Sequence, residues 1–96
     1  LGCIASMGVS IFIAGQKGSR ILTPNTTVMC HQWAGGMWGK EHELVAAIKG
    51  NEQMTQKMVA HYMKHTGLKE ADVRKYFFPA HDVWLTAKEA KKLDIC

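Results

Sequence analysis

No apolar stretch in the 96 residues approaches the ~20 needed to cross a bilayer; the run Val9 to Ala14 falls far short of it. A soluble protein with no membrane partner is the expectation. Proline occurs only twice, and the chain has no internal repeat, linker or low-complexity tract. Cysteine is also sparse. Cys3, Cys30 and Cys96 are widely separated, odd in number and lack any C-x-x-C pairing, so neither a zinc site nor a disulfide framework is indicated. They read as buried or incidental thiols of a reducing compartment. Clustered positive charge is missing too. The formal charge of +4 comes from bases scattered among acids, with no recognition motif, so no nucleic-acid partner is expected.

Hydrophobic residues are plentiful, at 47% of the chain. That excludes a disordered reading, yet a lone domain of this size buries only roughly 60–65% of the surface its unfolded form exposes. Self-association, in which neighbours complete the core, is the default expectation. Because the sequence opens with Leu1 inside an apolar stretch, it also reads as part of a longer chain.

Local patterns set out the elements. Gly2 to Gly18 begins with small residues and becomes apolar almost all round, predicting a buried helix with Ser6 at its N-terminal edge. Arg20–Thr23 and Thr27–His31 are β-prone runs separated by the turn signal Pro24-Asn25-Thr26, which puts His31 at a strand end. Trp33 to Gly39, with Gly35, Gly36 and Gly39, reads as a loop carrying large apolar groups. From Lys40 to about Lys64, Leu44, Ile48, Met54, Met58 and Tyr62 share approximately one face of a long helix. Gly50 is a point where that helix could bend, and Gly67 is a natural stop. Lys69–Tyr76 predicts a shorter helix ended at Phe77-Phe78-Pro79, and Val83–Leu85 a short strand. Thr86-Ala87-Lys88-Glu89 matches a capping box opening a last helix to Leu93. The elements together predict an α/β fold.

A serine hydroxyl becomes a nucleophile when an imidazole can take its proton and a carboxylate orients that imidazole. Ser6 lies where helix N–H groups can face a developing oxyanion, with Met7 N–H the candidate donor. His31 and Asp82 stand at element ends that could bring them to Ser6. Pattern alone does not separate these three from satisfied structural residues.

Ala5-Ser6-Met7-Gly8, Lys17-Gly18-Ser19-Arg20, Thr23-Pro24-Asn25, Val28-Met29-Cys30-His31-Gln32 with Gly35-Gly36, His65-Thr66-Gly67 and Asp82-Val83-Trp84-Leu85-Thr86-Ala87 resemble, in order and spacing, the Clp protease proteolytic subunit. The resemblance implies a partial Clp/crotonase-like α/β fold, with 1–96 as the C-terminal part of one peptidase domain whose N-terminal part lies outside this chain. It implies a serine endopeptidase with Ser6 as nucleophile, His31 as base and Asp82 as acid, needing no cofactor of its own. It further implies a homo-oligomer of stacked seven-membered rings that degrades unfolded polypeptides delivered by a separate ATP-driven AAA+ unfoldase. The cytoplasm of a bacterial or virus-infected cell, an organelle matrix or the stroma is the implied location.

The resemblance departs before the acid, where the family's acidic-Arg pair is replaced by Ala80-His81, and at Trp33, where proline is common. A non-catalytic interaction subunit is the main alternative, and an acyl-CoA hydratase or isomerase of the crotonase group is disfavoured by the Ser, His and Asp at peptidase spacing. His61 and His65, at i and i+4, could ligate a metal but lack an evident third ligand. Met54, Met58 and Met63 read as packing residues, Cys30 as a structural thiol, and Trp33 and Trp38 as anchors for a neighbouring subunit.

Overall fold

The computed structural model describes residues 2–32, 34 and 36–96, so the expectations for Leu1, Trp33 and Gly35 lie outside the described residues. Strand β1 (Gly2–Ala5) leads through Ser6 into helix α1 (Met7–Ile13), and β2 (Thr26–Cys30) follows after a long irregular connection. Helix α2 (Glu41–Thr66), helix α3 (Glu70–Phe77), strand β3 (Val83–Thr86) and helix α4 (Ala87–Lys92) complete the order. The sheet runs β1-β2-β3, with β1 and β2 parallel and β3 antiparallel to β2.

Strand β1 precedes the helix expected from Ser6 and is not itself expected from the sequence. Four residues including a glycine show no period of their own; their pairing with β2, Gly2 opposite Thr26 through Ala5 opposite Met29, decides the conformation. Helix α1 is then only seven residues long and has no side-chain cap. A helix so short is unstable alone, so burial must hold it: Val9 and Ile13 are 1% and 0% exposed, each contributing about 1.5–3 kcal/mol.

The core joins Val9 and Ile13 to Val28 of β2, Val59 and Tyr62 of α2, Val73 and Phe77 of α3, Leu85 of β3, Ala90 of α4 and Ile95. Packing against it uses only the C-terminal half of α2. Val59, Tyr62 and Thr66 are buried there, whereas Ile48 and Met54 are exposed, so the single apolar face expected along the whole helix divides in two. The helix continues unbroken through Gly50 and, at 26 residues, spans about 39 Å, projecting past the body of the molecule. Gly67 ends it in the left-handed conformation at φ 75°, its N–H donating to Met63 O at 2.9 Å.

Arg20–Thr23 forms no strand. Instead Arg20, 7% exposed, turns its guanidinium inward: Nη1 donates to Ile13 O at 2.6 Å, and Nη2 donates to His65 O at 3.0 Å and Asp94 O at 2.9 Å. These carbonyls lie at the C-terminal ends of α1, α2 and α4, where the helix dipoles are negative. At the other end of α4 the predicted capping box is formed, Glu89 N–H donating to Thr86 Oγ1 at 3.2 Å and Thr86 N–H to Glu89 Oε2 at 2.8 Å.

Candidate active site

Parallel pairing makes β1 and β2 finish at the same edge of the sheet, so the residues just beyond them, Ser6 and His31, are neighbours. Ser6 N–H donates to Met29 O at 3.0 Å, carrying the ladder one residue past β1. The chain then reverses into α1 within that single residue. Ser6 adopts φ 55°, ψ −122°, a conformation that costs a non-glycine residue about 1–3 kcal/mol. Its Oγ stands 2.9 Å from His31 Nε2, within hydrogen-bond reach. Both residues are half-buried. A strained serine on a strand-to-helix turn is the geometry that lifts a hydroxyl clear of its neighbours for attack.

Antiparallel β3 begins where β2 ends. Cys30 pairs with Val83, so extension of the register by one residue sets His31 opposite Asp82. The ladder leaves that register there, because Gln32 N–H donates to Pro79 O at 3.0 Å. Asp82 is exposed, and among the described residues no hydrogen bond or ion pair engages its carboxylate. The structure thus brings Ser6 and His31 into contact and leaves Asp82 across the strand end from them. Met7 opens α1, so its N–H has no acceptor within the helix.

With this geometry in view, the model of the Clp protease family matches residues 1–95. The chain belongs to the Clp protease family. Its mixed α/β fold, a three-stranded sheet with helices packed around it, is a Clp protease fold, and the family is one of peptidases.

Other polar groups of this Clp protease chain fall outside the Ser6–His31 contact. Cys30 adjoins His31 in sequence but is 2% exposed, and burial pushes its thiol up to about 12, so it stays protonated and unreactive at neutral pH. His61 and His65 meet edge to face with ring centroids 4.6 Å apart, yet His61 Nε2 is 3.0 Å from Ser10 O and so is committed to α1. Among the described residues no group of three or more His, Cys, Asp or Glu could hold a metal ion. Sequence reasoning missed the contact of Ser10 Oγ with the Tyr62 hydroxyl at 2.8 Å, directly behind the site. Ser10 stands out in the sequence only as a polar interruption of an apolar helix.

Proposed function

We propose that this Clp protease family chain is the proteolytic subunit of an ATP-dependent serine endopeptidase, with Ser6 as nucleophile, His31 as general base and Asp82 as the orienting acid. The observation that carries the reading is the 2.9 Å contact between His31 Nε2 and Ser6 Oγ at a strained strand-to-helix turn. Ser6 Oγ adds to the carbonyl carbon of a peptide bond while its proton passes to His31 Nε2. The negative charge that gathers on the carbonyl oxygen is stabilised by Met7 N–H at the start of α1. Collapse breaks the C–N bond, His31 returns the proton to the departing amine, and water later hydrolyses the ester on Ser6. Asp82, once turned toward His31, holds the imidazole in the tautomer that accepts the serine proton.

The exposed Met37, Trp38, Val45, Ile48 and Met54, on α2 and the segment leading to it, support the homo-oligomer part of the reading. Unfolded polypeptides are the proposed substrates, and a separate ATP-consuming unfoldase the proposed partner. The unengaged carboxylate of Asp82 favours a second reading, a non-catalytic subunit of the same fold. A fluorophosphonate probe separates the two. Labelling of the assembled protein at Ser6, abolished in Ser6→Ala, supports the peptidase; an unlabelled assembled protein supports the interaction subunit.

A further inference from the structure

Helix α1 carries Met7 N–H and follows directly on Ser6, yet it is too short to hold its own direction. Its seven residues make about two turns, with no side-chain cap at the N-terminus. The strained conformation of Ser6 persists only while the surroundings fix the angle at which α1 leaves the sheet. On the sheet side, Ser6 N–H is tied to Met29 O. On the far side, the ties run through carbonyls.

A helix leaves its last four carbonyls without partners in its own ladder, and in α1 these belong to Ser10, Ile11, Phe12 and Ile13. A tightened final turn satisfies two of them, Ala14 N–H donating to Ile11 O at 3.2 Å and Gly15 N–H to Phe12 O at 3.1 Å. Arg20 Nη1 donates to Ile13 O. His61 Nε2 stands 3.0 Å from Ser10 O, and because a carbonyl only accepts, Nε2 carries the proton in this bond. Ser10 lies one helical turn beyond Ser6 and is also held by its side chain, Oγ meeting the Tyr62 hydroxyl at 2.8 Å. Two consecutive residues of α2 thus grip one residue of α1. The half-buried His61 ring is itself steadied by His65, edge to face at 4.6 Å, whose carbonyl takes Arg20 Nη2. His61 does not border the cavity that Ser6 and His31 line, so it reaches the chemistry only through α1.

We infer that His61 is a positioning residue for the reaction at Ser6, an assignment that rests on Ser6 being the nucleophile. Its Nε2–H on Ser10 O sets the direction of α1, and with it the 2.9 Å approach of Ser6 Oγ to His31 and the place of Met7 N–H. Without that bond Ser10 O loses its donor, α1 pivots about Ser6, and the strained turn relaxes.

The test uses the full chain with three substitutions. His61→Phe keeps an aromatic ring and removes the donor, His61→Gln restores a donor at about the same reach, and His61→Glu has the shape of Gln without its N–H. An alkyl fluorophosphonate counts the sites that label at Ser6 and gives the labelling rate of each, and a fluorogenic peptide gives kcat per labelled site and KM. In His61→Phe, labelling rate and kcat should fall about tenfold with KM within about twofold, less than the ~100-fold that a full 1 Å misplacement can cost. His61→Gln should recover most of the loss. Fewer labelled sites, each reacting at the wild-type rate, would mean that His61 serves stability alone and would overturn the assignment. So would a His61→Gln as slow as His61→Phe, because the donor would then not be what matters. Should His61→Phe fail to fold, His61→Glu against His61→Gln makes the same comparison, and equal rates in the two overturn it. Wild-type labelling at Ser6 with rates indifferent to His61 removes this inference alone, and an unlabelled wild type removes the nucleophile reading and this inference with it.

Discussion

Arg20 Nη2 lies 3.0 Å from the backbone carbonyl of His65, and with its Nη1 on Ile13 O the side chain ties the end of α2 to the helix that follows Ser6. The same guanidinium holds Ile13 O and Asp94 O, while its buried Nε finds no acceptor among the described residues. A buried cation is costly unless charge of opposite sign meets it, and here the partners are carbonyls at helix C-termini. Arg20 therefore carries fold information that its position in a loop conceals.

Substitution Arg20→Met should accordingly be severe. It leaves the carbonyls of Ile13, His65 and Asp94 without their donor, an effect of about 3–5 kcal/mol by analogy with removing one member of a buried charged network. Each kcal/mol lowers the melting temperature of a domain of this size by roughly 4–8 °C. A thermal melt within a few degrees of wild type would show that the clamp contributes little.

His65 links this clamp to pH. Partial desolvation, and then the proximity of His61, Lys64 and Arg20, hold its imidazole below its ordinary 6.5. The unfolded chain thus takes up a proton at higher pH than the folded one. His65 contributes its stability fully above about 6.5, and that contribution is lost as pH falls through 6.5 toward the lower folded value. His65→Gln, which cannot take the proton, should flatten the decline in melting temperature between neutral pH and pH ~5.5. Parallel wild-type and variant profiles would contradict the assignment.

How much of this was visible beforehand depends on whether the cause was local. The α4 capping box, the Gly67 stop and the strand ending at His31 rest on neighbouring residues, and each is present within a residue or so of its expected position. Strand β1 was hidden because its pairing partner is remote in sequence. The apolar residues of α2 recur along its whole length, but which of them are covered depends on α1 and α3, and these reach only its C-terminal half. At the site, the family resemblance singled out Ser6, His31 and Asp82, and of these Ser6 and His31 meet. The Ser10–Tyr62 contact depends on how α1 crosses α2, which no periodicity records.

Ser6 should be held in its conformation at a cost that glycine can remove. Ser6→Ala and Ser6→Gly both delete the hydroxyl, but only glycine is comfortable at φ 55°, ψ −122°. Even after the entropy that glycine adds to the unfolded chain, Ser6→Gly should exceed Ser6→Ala in stability by about 1 kcal/mol. Denaturant midpoints of the two variants check this, and a more stable Ser6→Ala would mean that the turn stores no strain.

Asp82 poses the sharpest question for catalysis, because register sets it opposite His31 while its carboxylate remains unengaged. An orienting acid need not be docked in the resting chain, since catalytic hydrogen bonds often tighten only when substrate or neighbouring subunits arrive. If Asp82 fulfils that role, Asp82→Asn should preserve the fold, because an exposed residue with no partner among the described residues contributes little to it. Turnover should nonetheless fall by roughly 10⁴, the cost of presenting the wrong imidazole tautomer to the nucleophile. The loss should appear in kcat with little change in KM, as expected for an interaction made only in the transition state. If Asp82→Asn and wild type acylate at the same rate, Ser6 and His31 act as a dyad, and the carboxylate before β3 has no part in the chemistry.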